Sequence, residues 1–189
     1  MKPTREEAYE LLCEYNDSTA LITHALAVEG VMRHFARLLS EDEDTWGIVG
    51  LLHDIDYQQY PEQHCLKAKE ILTERGIDEH IVHAVMSHGY EICCDVKPEH
   101  IMEKVLFTID ELTGLINASA IMRPSRSVLD LELSSVRKKY KDRKFAAGVN
   151  RETIEKGCAM LGMDLDYVIT ETILGMREVA EVIGLKGSL

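Results

Sequence analysis

Apolar residues recur every three or four positions along nearly the whole chain, the spacing of a single helix face. Between Thr19 and Leu39, for example, Leu21, Ala25, Val28, Met32, Phe35 and Leu39 form one stripe. No segment alternates apolar and polar residues over a strand's length between hairpin turns. The fold class that follows is all-α. Capping signals set the expected boundaries. Thr4-x-x-Glu7 and Ser40-x-x-Glu43 read as capping boxes ahead of helices near 5–15 and 42–54, and Asp17 or Ser18 caps a helix over 19–39. Pro61 opens a helix that stops at Gly76, Asp78 caps one through about 88, and Pro98 opens a long one to about 120. Asn150 and Asp164 cap the last two, which end near Gly162 and near residue 183.

The 189 residues, 46% of them apolar, are enough to bury one core, and no long linker or low-complexity tract divides 1–189 into two domains. No apolar run approaches the ~20 residues of a membrane span, and MKPTREEAYELL is too charged for a secretory signal. The five cysteines form no C-x-x-C pair. They predict a reduced, cytoplasmic chain with neither a disulfide framework nor a cysteine-rich zinc site. Cys93–Cys94 has no placed base, and Cys65 reads as packing. A net charge of −12 argues against a general nucleic-acid or anionic-membrane surface. That charge is uneven: residues 1–122 carry 23 acids and nine bases, whereas 123–144 carry eight bases and three acids. With Pro124 and its serines, the basic stretch is expected to interrupt the helical packing. The amphipathic stretch Tyr167 to Leu185 is expected in the core or at the face of a homo-oligomer.

Placing polar residues on these helices picks out a small set. His24 lies on the apolar stripe, three after Leu21 and four before Val28, whereas His34 lies off it beside Arg33 and Arg37. His53 follows Val49 by four, and Asp54 follows Leu51 by three, so both close a helix on its inner side. Asp110 follows Leu106 by four and Phe107 by three, and a carboxylate so placed needs a cation, a donor or a metal. One His, one His-Asp pair and one Asp thus face inward from three helices, a good ligand set for a divalent transition metal. His64 and His88 also fall on core-facing positions, while His80 and His83 do not. Glu29 precedes Arg33 by four, the spacing of an ordinary ion pair.

The string GLLHDIDY, the upstream THALAVEGVM and the downstream FTIDELTGLI together resemble the HD superfamily of metal-dependent phosphohydrolases. The H…HD…D pattern falls on His24, His53–Asp54 and Asp110, and the phrases DELTGLI and SVRKKYKDRKFAAGV are similar to a subgroup of predicted HD hydrolases. The resemblance implies a helical bundle with the metal site between helices and a C-terminal helical extension. It puts the metal-binding core at about 18–120, the basic segment at 123–144 and the last helices at about 150–183. It also implies His64 and His88 as ligands of a second metal, although the chain has SHGYE where two-metal members carry HHE. One or two ions of Mn, Fe, Zn, Co, Ni or Mg fit that expectation.

The chemistry implied is hydrolysis of a nucleotide or other small phosphate ester by a metal-activated water, with Asp54 bridging two ions. Asp54 is the expected catalytic residue; it or Asp56 takes the water's proton, unless Asp56 only caps its turn. Some HD-fold oxygenases use a similar ligand set with two irons, and a metal- or nucleotide-binding module without catalysis fits the same residues. GIVGLLHD lacks the Lys-Ser/Thr of a phosphate-binding P-loop. A phosphorylated substrate approaching so acidic a site needs a nearby cation, and the basic stretch starts where the Asp110 helix ends. Arg123 is the expected substrate contact, unless the basic run forms only a solvated face or pairs with the acidic surface.

Overall fold

The computed structural model describes residues 1–188, and helices account for all the regular structure among them. They are α1 (Arg5–Tyr15), α2 (Thr19–Leu39), α3 (Glu43–Leu52), α4 (Leu66–Glu74), α5 (Glu79–Ser87), α6 (Ile101–Ile121), α7 (Leu133–Lys141), α8 (Arg151–Leu161) and α9 (Leu165–Glu178). The Thr4–Glu7 capping box forms, as do the Asn150 and Asp164 caps. No helix among the described residues is long and apolar enough to cross a membrane.

Five features depart from expectation, one of them the end of α9, which falls at Glu178 rather than near residue 183. Ser40 does not cap α3: it takes the left-handed conformation at φ 58° and ends α2, while Asp42 accepts the amide of Asp44. The helix expected from Pro61 splits into a 3-10 turn, Pro61–Gln63, and α4, with Cys65 at φ 65° between them. Pro98 lies outside α6, which His100 caps reciprocally with Glu103. The basic stretch does break the helices, over 122–132 and again after Lys141, but it holds α7 between those breaks. Val136 and Tyr140, one turn apart, bury its inner side, and Lys138, Lys139 and Lys141 sit in its last turn, where cations oppose the helix dipole.

Buried side chains line one core, with α3 enclosed from Trp46 through Leu52 and α2 packed between α3, α6 and α9. Met32, Phe35 and Trp46 are buried in it. Glu29, also buried, binds both Arg33 at 3.1 Å and Arg5 at 2.7 Å, so the expected pair is a three-membered tie between α1 and α2. Val168, Ile169, Ile173 and Met176 put the inner face of α9 in the core. A Cβ on Gly175 would lie 2.8 Å from Val31 Cα, so glycine is what lets α9 approach α2 this closely. His34 joins the same two helices, reaching Glu171 at 2.8 Å and Glu178 at 2.7 Å.

Candidate metal centre

Five stretches of chain bring six side chains to one cleft. His24 comes from α2, His53 and Asp54 from the end of α3, and Asp110 from α6. His64 enters from the break before α4, and His88 from the end of α5. They fall into two groups around Asp54. Its Oδ2 faces His53 Nε2 at 3.4 Å and His24 Nε2 at 3.9 Å, and Asp110 Oδ1 lies 2.9 Å from His24 and 3.3 Å from His53. Its Oδ1 faces His64 Nε2 and His88 Nε2, each at 3.4 Å. Within each group the imidazoles also face one another, His24 to His53 at 3.2 Å and His64 to His88 at 3.0 Å.

The outer hydrogen bonds fix which ring nitrogens are free. His53 Nδ1–H donates to the Gly50 carbonyl at 2.8 Å, His88 Nδ1–H to the Val85 carbonyl, and His64 Nδ1–H to Asp56 Oδ1 at 2.8 Å. Three Nε2 lone pairs therefore point into the cleft, the arrangement by which second-shell acceptors prepare imidazoles for a metal. With bonds of about 2.1 Å, ligand atoms stand about 3.0 Å apart along an octahedral edge and about 3.4 Å along a tetrahedral one. Most of the separations above fall in that range, so the residues present fit a divalent cation in each group. His24 to Asp54 is the wide exception.

Without a metal, protons hold the cluster together. Burial works against a charged His53, but the Asp54 and Asp110 carboxylates outweigh it and hold its pKa well above 6.5. His88 is raised as well, its bond to Asp54 prevailing over burial. Burial would raise Asp54 and Asp110, yet the facing imidazoles hold both below the usual carboxylate range.

The sign of the pH dependence follows. In the metal-free protein the histidine contribution to stability is complete below about pH 6.5 and is lost as the pH rises through the raised values. The carboxylate contribution is complete above about pH 3.8 and is lost as the pH falls through the lowered ones. A metal must displace the histidine protons, so its affinity runs the other way and climbs with pH. Calorimetric titration with Zn or Mn should show binding at least about tenfold weaker at pH 5.5 than at pH 7.5. A flat profile would exclude imidazole ligation.

The cleft, of about 360 Å³, is also lined by Tyr57, Ile92, Cys93, Glu111, Gly148 and Val149. Burial beside Asp110 pushes the Glu111 carboxyl up, although the Asn150 amide, 3.0 Å away, opposes the shift. Asp56 does not face this space. It is buried, and its oxygens accept from His64 Nδ1 and the Ala68 amide, so it orients a histidine. Arg123 is not in the cleft either: it lies beyond the far end of α6, bound through Nε and Nη2 to both oxygens of Asp130 at 3.0 and 2.8 Å. Arg137 is likewise held, by Asp166 at 2.8 Å.

Sequence reasoning missed a thiol cluster. Cys65, Cys93 and Cys94 meet beside His64, with Cys93 Sγ 3.2 Å from Cys65 Sγ. A Cβ on Gly89 would strike both of those sulfurs, so only glycine allows the loop after α5 to fold over them. The hydrogen bond from Cys93, reinforced by burial, pushes the Cys65 thiol up and keeps it protonated. No local signal marks this meeting, because 28 residues separate Cys65 from Cys93.

An all-helical bundle whose helices converge H, HD and D side chains on one cleft defines a class, and the HD domain family model matches residues 21–156. The chain belongs to the HD domain family, a family of metal-dependent hydrolases. No curated protein and no solved structure matches it.

Proposed function

We propose that the protein is a phosphohydrolase that cleaves a nucleotide or other small phosphate ester at this cleft. The observation that carries the reading is Asp54, which presents one carboxylate oxygen to His24 and His53, the histidines that Asp110 also faces, and the other to His64 and His88. A pair of divalent metals so held lowers the pKa of water and polarises a phosphoryl oxygen. The chain's own part is to hold both groups in register. His53 and His88 are locked by backbone carbonyls, and Asp56 locks His64. Asp54 is the carboxylate we assign to bridge the two groups, one oxygen toward each. No lysine or arginine lines the cleft among the described residues, so the charge of a scissile phosphate would have to be met by cations held on the His and Asp side chains.

Protein purified without added metal, assayed for metal content and against a panel of phosphate esters, tests the reading. We expect about two equivalents of metal per chain and phosphate release from part of the panel. His64→Ala should lose about one equivalent and keep the other, with hydrolysis greatly reduced. Iron with oxygen uptake and no phosphate release would place the protein among oxygenases. Metal with neither activity would make it a binding module.

A further inference from the structure

A second cavity, of about 480 Å³, adjoins the metal cleft, and His24 borders both. Its walls continue the two helices that carry His24 and Asp110. Thr113 and Asn117 follow Asp110 by three and seven residues on one face of α6, and so stand about 4.5 and 10.5 Å further along its axis. Thr23 faces them from α2, and the far end is closed by Arg126 and the segment Ile183–Leu185, which lies beyond the family match. Small polar hydroxyls and an amide set among apolar side chains suit an organic group with a few hydrogen-bonding atoms.

Arg126 is distinctive in three respects. It is the one lysine or arginine that lines either cavity among the described residues. Whereas Asp130 holds Arg123, Arg126 is exposed with no ion pair among those residues. Its backbone stands at φ 51°, a conformation that costs a side-chain-bearing residue energy and persists only where the surroundings impose it. The surroundings do impose it. Val128 N–H donates to the Leu185 carbonyl at 2.9 Å, Ser127 Oγ to the Lys186 carbonyl at 2.7 Å, and Ser188 N–H to the Ser125 carbonyl at 3.2 Å. The turn and the segment that closes the cavity therefore form one unit.

We propose that this cavity receives the alcohol part of the phosphate ester, and that Arg126 binds a second anionic group on it. The inference rests on the phosphohydrolase reading and narrows it to small esters with anions at both ends. Arg126 selects the substrate and takes no part in bond cleavage. In a chain of charge −12, a guanidinium at the far end of the cavity also sets which way round a doubly anionic molecule lies.

Alkane bisphosphonates of graded length resist hydrolysis, so their binding to manganese-loaded protein reads the pocket directly. Calorimetry against alkyl monophosphonates of the same lengths should show a bisphosphonate binding at least about tenfold tighter at the matching length. Arg126→Gln should abolish that advantage and leave monophosphonate affinity unchanged, while Arg126→Lys keeps part of it. The Arg126 side chain is exposed, so both variants should melt as the parent does. Equal binding of the two ligand types by the parent, or an advantage that survives Arg126→Gln, would overturn the role of Arg126 and leave the phosphohydrolase reading standing. If neither ligand type binds, both fall.

Discussion

Replacing Asp54 with alanine should strip metal from both halves of the centre at once. Each oxygen of this carboxylate faces its own group of histidines, so no other single side chain serves both. Elemental analysis of folded Asp54→Ala protein should find bound metal reduced to a tenth or less, roughly, with hydrolysis lost in parallel. Removing Asp54 leaves His53, His64 and His88 without the carboxylate they face, so the metal-free variant should melt below the parent, and metal is counted at a temperature where both are folded. His34→Ala is the matched control. His34 is tied to Glu171 and Glu178 on α9, so the variant should lose stability and keep its metal. Normal metal content in Asp54→Ala would falsify the assignment of the bridging position.

The second large effect is expected at Arg151. This guanidinium is buried and meets no carboxylate. Its nitrogens donate instead to main-chain carbonyls, among them Tyr140 at 2.8 Å, Asp142 at 3.1 Å, Phe145 at 2.6 Å, Ala146 at 3.3 Å and Val149 at 3.2 Å. Tyr140 and Asp142 stand at the end of α7, where the helix dipole favours a cation. Arg151→Met would orphan these acceptors and should cost about 3–5 kcal/mol. For a chain of this size that is a fall in Tm of roughly 10 °C. Arg151→Lys should recover little, since three donors on a point charge cannot replace a five-donor fork. Gly148 and Val149 line the cleft, so metal-dependent activity should fall even below the new Tm. A Tm within about 2 °C of the parent would show the loop to be held by other contacts.

The helical frame was legible because a 3.6-residue period and side-chain caps are local properties. So was the inward aim of His24 and Asp110, each set by spacing within one helix, whereas His53 and Asp54 point inward from the cap and turn that follow α3. The break at His64–Cys65 was not: Pro61 and the apolar residues after it read as one helix, and only the demand of Asp56 and the cleft on His64 interrupts it. The two roles open to Asp56 could not be separated without knowing where His64 points. Arg123 and Arg126 stand in the same basic run, and nothing local tells which of them Asp130 will take. The thiol cluster depends on two distant loops meeting over Gly89. The thiol cluster needed long-range packing, whereas Asp56–His64 and Arg123–Asp130 span eight and seven residues and depend on how irregular chain between them turns.

The close seating of α9 on α2 also bears on how the chain is made. Synthesis runs from the N-terminus, so α2 and α6 can assemble their share of the metal ligands well before α9 exists. Until then Val31 and the backbone that Gly175 later meets stand uncovered on a nascent domain, and His34 lacks both of its glutamates. Until α9 is made, nothing later in the chain is there to cover that surface. A contact of such high sequence separation that forms after the folding barrier sets the lifetime of the native state more than the speed of reaching it, so substitutions at Gly175 should speed unfolding more than they slow folding.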